Sequence, residues 1–276
     1  MKQQFIDDGF IILKGIIEGD LLKRIQDQCE HLSDLRDQGK TSCPQREQNV
    51  LQPEFFHRSY IEFMNNERMN DFVYDLLGKE NAIFVGLSIL LGYDTEAIIS
   101  WHHDILGPRD LSPEWICRQE QILQANFAAF SDKALWIVPG SHCRLNTAEE
   151  NAHIEKYKDV PLISKKDEFK ALGGDVVRDM PGAVNVELDA GDIVIYNNLL
   201  WHCAEYDPKI KRGAIHPDWL HTKIFEDFPN IRQGLNGHPW LLDNEFMGEL
   251  GPHFGHQVDL FLKQREKYKD EFKDTE

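Results

Sequence analysis

Short apolar segments separated by turn-forming residues fill the middle of this chain, from residue 83 to residue 218. Their length and their content of Ile, Val, Leu and Phe are typical of strands. The predicted strands are residues 83–93, 97–103, 122–130, 134–138, 183–188, 192–196, 199–204 and 213–218. Many short strands with turns between them favour a mainly β fold, a sandwich or barrel of the jelly-roll type.

Helical segments flank this β region. Apolar residues near helical spacing predict helices over residues 19–35 and 55–77, and Gly78 is a normal stop signal for the second. A charged amphipathic helix is predicted over 255–273, packed on the outside of the sheet. We expect a single domain over residues 1–276. Its parts are a helical region at about 15–80, a β core at about 83–218 with a lid-like insertion at about 143–181, and a C-terminal extension at about 219–276.

The composition excludes several classes of function. The chain of 276 residues has a formal net charge of −17, and it contains no basic stripe that could follow a nucleic-acid backbone. No apolar run reaches the roughly 20 residues that a membrane-spanning helix needs, and the first residues do not resemble a secretory signal. Five scattered cysteines form no Cys-x-x-Cys motif. We therefore expect a cytoplasmic protein with reduced thiols and with neither nucleic-acid nor membrane partners.

Two residues with metal-binding side chains stand at the end of the second predicted strand. Residues i and i+2 of a strand point to one face, so Ser100, His102 and Asp104 share a face. His103 points the other way and has the aliphatic Ile105 as its i+2 neighbour. The pattern selects His102 and Asp104 as a candidate metal pair, although a His-x-Asp pair also occurs on ordinary surface strands.

A second histidine, His202, lies in the segment that follows the apolar strand at 192–196. A hairpin there is expected to carry His202 beside the strand of His102 and Asp104. Two histidines and one carboxylate on one face of a metal leave positions open, as in the facial triad of non-haem Fe(II) oxygenases. Cys203 points away from His202 and is not expected to be a ligand.

Arg212 follows His202 at the start of another predicted strand. Its planar guanidinium can form two parallel hydrogen bonds with a carboxylate, such as the distal carboxylate of 2-oxoglutarate. The alternative is that Arg212 belongs to a solvated charge cluster with Lys209 and Lys211.

With these residues in place, the chain resembles the phytanoyl-CoA dioxygenase family of Fe(II)/2-oxoglutarate oxygenases. Matching segments occur in order over most of residues 5–216. They are the opening from Phe5 to Gly15, the triplet His102-His103-Asp104, Val138-Pro139-Gly140-Ser141-His142, Ala190-Gly191-Asp192-Ile193-Val194, and His202 with Arg212. The Pro-Gly-Ser-His and Ala-Gly-Asp turns are more distinctive than the His-x-Asp pair.

The resemblance implies a double-stranded β-helix core of the cupin-like, jelly-roll kind, with one Fe(II) ion, 2-oxoglutarate as cosubstrate and O2. It implies that His102, Asp104 and His202 are the iron ligands and form the catalytic centre. It also implies that Arg212 binds the 2-oxoglutarate carboxylate.

Other positions follow from the same resemblance. Phe127 stands where relatives often have an aromatic residue against the 2-oxo acid, with Asn126 as the polar alternative. His142 belongs to its turn and is expected to be structural. Ala204 replaces a small hydroxyl residue that often contacts the cosubstrate, and the turn after Phe130 is shorter than usual. Because related halogenases have a small residue in place of the carboxylate ligand, the retained Asp104 favours hydroxylation or another oxidation over halogenation.

The expected function is therefore hydroxylation of a small-molecule metabolite with release of succinate and CO2. The alternatives are a cupin-like metalloenzyme that does not use 2-oxoglutarate and a non-catalytic metal-binding or sensing relative. A small polar metabolite is favoured over an acyl-CoA, since no Gly-rich phosphate cradle is present. Six basic residues are candidates for receiving an anionic group of the substrate. They are Arg46, Arg58, Arg144, Lys165, Lys166 and Arg178.

Overall fold

The computed structural model describes residues 1–43, 45–104, 122–229, 231 and 245–271. Helices surround a set of short strands. The α-helices are α1 (Lys2–Asp8), α2 (Gly19–Asp37), α3 (Arg58–Met64), α4 (Glu67–Leu77), α5 (Ala148–Lys156), α6 (Lys166–Lys170), α7 (Thr222–Asp227) and α8 (Phe254–Lys267). The strands are β1 (Phe10–Leu13), β2 (Arg46–Glu47), β3 (Ala82–Leu90), β4 (Ala97–His102), β5 (Ile122–Ala128), β6 (Leu135–Ile137), β7 (Ile163–Lys165), β8 (Val184–Asn185), β9 (Ile193–Asn197), β10 (His202–Tyr206) and β11 (Ala214–His221).

The strands form two antiparallel sheets. One has the order β1-β9-β5-β11-β3-β2, and the other has the order β7-β4-β10-β6-β8. Between β3 and β11 the chain passes repeatedly from one sheet to the other, so neighbouring strands in a sheet are distant in sequence. This arrangement is consistent with the predicted jelly-roll core.

The connection between β9 and β10 differs from our expectation. We predicted a hairpin, but β9 pairs with β1 and β5 in the six-stranded sheet, whereas β10 pairs with β4 and β6 in the five-stranded sheet. The predicted hairpin is therefore wrong. The segment between them contains Asn197, whose side-chain oxygen accepts a hydrogen bond from the Leu199 amide and stabilises the crossing. His202 reaches β4 through sheet pairing with a strand that lies far away in sequence.

Three apolar clusters define the layers. The largest lies between the outer face of the six-stranded sheet and the helices, where Phe63, Phe127 and Phe254 are fully buried. A second cluster fills one part of the space between the sheets and includes Ile137 and Val194. The third lies between the outer face of the five-stranded sheet and residues 143–181. The insertion thus covers the second sheet on its outer side.

Local sequence explains where the helices end. The predicted helix over 55–77 is divided because the Asn66 side chain caps α4 by accepting a hydrogen bond from the Met69 amide at 3.0 Å. Thr147 and Glu150 form a reciprocal capping box at the start of α5. In the Ala-Gly-Asp turn, Gly191 has φ of +95°, and a Cβ there would lie 2.4 Å from the Ile17 carbonyl oxygen. Only glycine fits this close approach.

The C-terminal helix packs on the six-stranded sheet, as predicted. Phe254 of α8 contacts Phe84 of β3 edge to face, with ring centroids 5.0 Å apart. The Trp219 indole on β11 donates to Gln257 of α8 at 3.0 Å. The β core extends to His221, slightly past the predicted boundary at 218. Among the described helices, none is long and apolar enough to cross a membrane.

Candidate metal and cosubstrate site

The two candidate histidine ligands face each other across paired strands. His202 on β10 is aligned directly with His102 on β4, and their ring centroids are 4.2 Å apart. The register shifts between His202 and Ala204, where β4 contains one extra residue. Such a bulge re-aims side chains on the bulged strand. Here it leaves the ring of His102 directed into the space between the sheets.

Both imidazoles are oriented by backbone carbonyl groups. The Nδ1 atom of His102 lies 2.6 Å from the Ser100 carbonyl oxygen, and that of His202 lies 2.8 Å from the Leu200 carbonyl oxygen. A carbonyl only accepts hydrogen bonds, so Nδ1 carries the proton in both rings. In the neutral ring the lone pair is then on Nε2, and this is the tautomer in which histidine binds metals with a carbonyl fixing its other nitrogen.

Asp104 completes the cluster immediately after β4. Its Oδ1 lies 3.2 Å from His102 Nε2, and its Oδ2 lies 3.5 Å from His202 Nε2. Gln124 on β5 donates a hydrogen bond to the same carboxylate. Burial opposes ionisation of Asp104, but a second proton, on Nε2 of an imidazole, adds a positive charge and a hydrogen bond that hold the pKa of this carboxyl well below the ordinary value. A bound metal ion would take the place of that proton. The carboxylate is therefore available as an anionic ligand.

These donor atoms fit a single divalent ion. One nitrogen of each histidine and one oxygen of Asp104 all lie within 4.8 Å of one another. Imidazole and carboxylate form the 2-His-1-carboxylate set that non-haem Fe(II) uses when other positions stay open. The cluster lies at a cavity of about 180 Å³ between the two sheets.

Arg212 lines the same cavity, immediately before β11. Its side chain is 6% exposed, and its Nε donates to Asp132 Oδ2 at 2.9 Å. The guanidinium also lies over the Tyr206 ring, 4.9 Å from the centroid. Its Nη1 atom is buried and has no hydrogen-bond partner among the described residues. Arg212 is thus not part of a solvated cluster with Lys209 and Lys211, and one of its donors is available to a ligand.

The structure does not bring Phe127 to this cavity. Alternate residues of β5 point to opposite sides of the sheet, and Phe127 packs against Phe63 in the helix-covered cluster, with ring centroids 5.0 Å apart. Its neighbour Asn126 points inward and lines the cavity. The Asn126 side-chain oxygen lies 2.7 Å from His216 Nδ1. We therefore retain Asn126, and not Phe127, as a candidate cosubstrate-binding residue.

His216 was not identified from the sequence, although it also lines the cavity. Burial and the positive charge of Arg46 lower its pKa to about 4, against the opposing effect of Asp104. Its ring is therefore neutral near neutral pH. Asp132, in the turn after Phe130, was not identified as a site residue either. One pattern in the sequence could have indicated His216 as a cavity residue. Strand alternation on β5 and β11 places the polar residues Gln124, Asn126 and His216 on the face opposite the apolar core.

The remaining histidines and the neighbouring cysteine have other environments. His103 stacks on Trp201 at 3.8 Å between centroids, on the side covered by the insertion. His142 is buried close to Gly9, where a Cβ atom would lie 2.5 Å from the His142 Nδ1 atom. The Pro-Gly-Ser-His turn that contains His142 therefore packs directly against the N-terminal segment. Cys203 is buried in the apolar cluster beneath the insertion, and burial is the main cause that raises its pKa well above the ordinary value.

Most of the basic residues proposed to receive an anion are engaged elsewhere. Arg58 donates to the Met247 carbonyl oxygen, and Arg144 pairs with Glu150. Lys166 and Arg178 both pair with Glu205, which lines a separate cavity. Lys165 lies exposed on β7. Only Arg46, among these six residues, lines the cavity of the histidine cluster.

Comparison with solved structures identifies similar folds. No family model matches the chain, and no curated protein does. HygX from Streptomyces hygroscopicus, solved with nickel and 2-oxoglutarate, matches with a TM-score of 0.55 and 15% identity over 80% of this chain and 86% of HygX. AviO1 from Streptomyces viridochromogenes Tue57 matches with a TM-score of 0.53 and 14% identity, over 79% of this chain and 92% of AviO1.

A third similar structure is SnoN, described as an epimerase in complex with Fe3+, alpha ketoglutarate and nogalamycin RO. It matches with a TM-score of 0.53 and 14% identity, over 79% of this chain and 81% of SnoN. At these identities the likeness shows a shared fold.

Proposed function

We propose that this protein is an Fe(II)- and 2-oxoglutarate-dependent oxygenase on a double-stranded β-helix core, which hydroxylates a small-molecule metabolite and releases succinate and CO2. One observation carries the proposal. The Nε2 atoms of His102 and His202 and the Asp104 carboxylate converge beside a cavity that Arg212 also lines. The likeness to folds that were solved with a metal and 2-oxoglutarate supports this function.

The side chains of the cluster would hold the metal by one face. His102, Asp104 and His202 supply three ligand atoms, and the carbonyls of Ser100 and Leu200 keep both rings in the binding tautomer. When bound, iron and 2-oxoglutarate together supply the oxidising power that breaks a substrate C–H bond with O2. Gln124 restrains the carboxylate of Asp104 and so limits how that ligand can rotate.

Arg212 would orient the cosubstrate. Asp132 and Tyr206 fix the guanidinium, so its free Nη1 is held in place before a ligand arrives. A carboxylate that pairs with this donor is placed in the same cavity as the metal ligands. The buried Asn126 and His216 restrict that space and help to exclude water.

Anaerobic titration of the purified protein with Fe(II) and 2-oxoglutarate tests the proposal. We expect a weak visible absorption band in the wild type and none in His102→Ala. His103→Ala is the matched control, because it removes the adjacent imidazole on the opposite face and should retain the band. Absence of the band in the wild type, or an equal band in His102→Ala, would refute the proposed site.

A second candidate function is a metalloenzyme of similar fold that does not use 2-oxoglutarate. The pairing of Arg212 Nε with Asp132 favours it, since that carboxylate already balances the guanidinium charge. Measurement of succinate separates the two candidates. Substrate turnover without succinate favours the second candidate, whereas succinate formed in step with product favours the first. A product heavier by one oxygen atom identifies hydroxylation, and an unchanged mass indicates epimerisation.

A further inference from the structure

Arg46 reaches the cavity of the histidine cluster from the edge of the six-stranded sheet. It belongs to β2, a two-residue strand that pairs with the end of β3, where Arg46 is aligned with Leu90. Both residues line the cavity together with His102, Asp104 and His202. The guanidinium thus enters the same space as the proposed metal ligands, but from another element than Arg212.

The guanidinium of Arg46 lacks the partners that hold the other cationic side chains near the cavity. Its Nε is buried and has no hydrogen-bond partner among the described residues. No ion pair between described residues includes it. Arg212, by contrast, is fixed by Asp132. A buried N–H donor without a partner is costly, and an anionic ligand that accepts a hydrogen bond from it would remove that cost.

The same cavity has an aliphatic wall. Leu162 and Ile163, at the start of β7, line it although they are 50% and 45% exposed. Ile99 and Leu135 contribute further apolar surface from the five-stranded sheet. Exposed aliphatic side chains at the lining of a cavity gain stability when a ligand covers them. Within the described part of the chain, the site therefore offers a cationic group without an ion-pair partner and, beside it, apolar surface.

We infer that the primary substrate is a small organic monocarboxylate with an aliphatic segment. Its carboxylate pairs with Arg46 while the aliphatic part lies on Leu162 and Ile163. The inference rests on the proposed function, because it assigns the substrate of that same site. A guanidinium can pair with a carboxylate or with a phosphate, so the charge of the ligand decides between them, and a monoanion is favoured over a phosphate dianion. Among the described lining residues, no second unpaired cation stands beside Arg46 to balance a dianion.

Calorimetric titration of the protein loaded with Ni(II) and 2-oxoglutarate, an inert stand-in for the iron form, tests the inference without requiring turnover. The probes are hexanoate, its neutral analogue hexanamide, and acetate. We expect hexanoate to bind more tightly than either of the others. Arg46→Gln should weaken hexanoate binding by about 10- to 100-fold, the effect of losing hydrogen bonds to a charged group. Arg46→Lys should give an intermediate loss.

Lys165→Gln is the matched control, since it removes one positive charge from the same side of the molecule without touching the cavity lining. It should leave hexanoate binding unchanged. Ile163→Ser should weaken hexanoate binding and leave acetate binding unaffected. Equal binding of hexanoate and hexanamide, or equal losses in Arg46→Gln and Lys165→Gln, overturns the inference.

The affinity for 2-oxoglutarate distinguishes this inference from the proposed function. Arg46→Gln should bind 2-oxoglutarate within about 2-fold of the wild type, because Arg212 is assigned to that ligand. If Arg46→Gln loses affinity for 2-oxoglutarate to the same extent as Arg212→Gln, Arg46 belongs to the cosubstrate site. The substrate inference then fails, while the proposed function stands. If the wild type binds no 2-oxoglutarate with Ni(II), the proposed function fails, and hexanoate binding to the metal-free protein still reports on Arg46.

Discussion

The two faces of the six-stranded sheet have opposite chemistry, although the same strands build both. On the outer face of β5, Phe127 lies in a dry cluster against the helices. On the inner face, Gln124 and Asn126 contact Asp104 and His216. A strand with period-two alternation can thus serve stability on one side and ligand binding on the other. Substitutions on the two faces should therefore change different measurable quantities.

The largest effect is expected for a ligand on the inner side. His202→Ala removes one of the three proposed metal ligands, and the affinity for Fe(II) should fall by at least about 100-fold. Removing only a residue that hydrogen-bonds to a ligand typically costs about 10- to 100-fold. Equilibrium dialysis under anaerobic conditions measures it. Cys203→Ala changes the next residue, which packs beneath the insertion, and should leave metal affinity unchanged. Equal losses in both variants would contradict the division between the two faces.

Phe127→Ala should act on stability alone. The side chain is fully buried among apolar residues, so its truncation should lower the free energy of unfolding by about 3 to 5 kcal/mol. Urea denaturation measures this change, while metal binding at low temperature should remain normal. Asn126→Ala is the comparison on the inner face, with a smaller stability loss and weaker 2-oxoglutarate binding. If Phe127→Ala abolished metal binding in folded protein, Phe127 would belong to the site.

Asp132→Asn should weaken binding at the cosubstrate site and lower the free energy of unfolding by less than Phe127→Ala does. Asp132 fixes Arg212 and also caps the Ala134 amide. The amide of asparagine can keep the cap but removes the charge that holds the guanidinium. We expect 2-oxoglutarate affinity to fall by about 10-fold, measured by titration of the Ni(II) protein. Lys133→Ala breaks only the exposed pair with Glu187 and should have no measurable effect on this affinity.

The smallest effect on the site itself is expected for a change in the insertion, on the outer side of the other sheet. Glu150 is 1% exposed and pairs with Arg144. Burial raises its pKa, but the hydrogen bonds from Arg144 and from the Thr147 amide outweigh burial and hold the pKa below its ordinary value. Its stabilising contribution is therefore present above the unfolded pKa and is lost as pH falls through the folded pKa.

Glu150→Gln should cost about 1.5 kcal/mol near pH 7, and the difference from the wild type should shrink near pH 3. Thermal unfolding at both pH values measures the change. A difference that grows on acidification would contradict the sign of the pKa shift.

Much of the site's composition could be predicted because the relevant patterns are local. Strand alternation selected His102 and Asp104 over His103, and the structure places the first two beside His202 while His103 stacks on Trp201. The register that aligns His202 with His102 could not be predicted from an assumed hairpin. It depends on which sheet each strand joins, and that choice is made by contacts between residues distant in sequence.

The sequence by itself determined the positions of most strands of the β core to within a few residues, and it determined which side chains are able to bind a metal. Both follow from periodicity and side-chain chemistry, which are local properties. Only the tertiary structure decided that Asp132 holds Arg212, that Phe127 faces away from the cavity, and that Arg46 lines it with an Nε atom that has no partner among the described residues. These depend on packing two sheets face to face, because the partner of each buried group comes from another element of the fold.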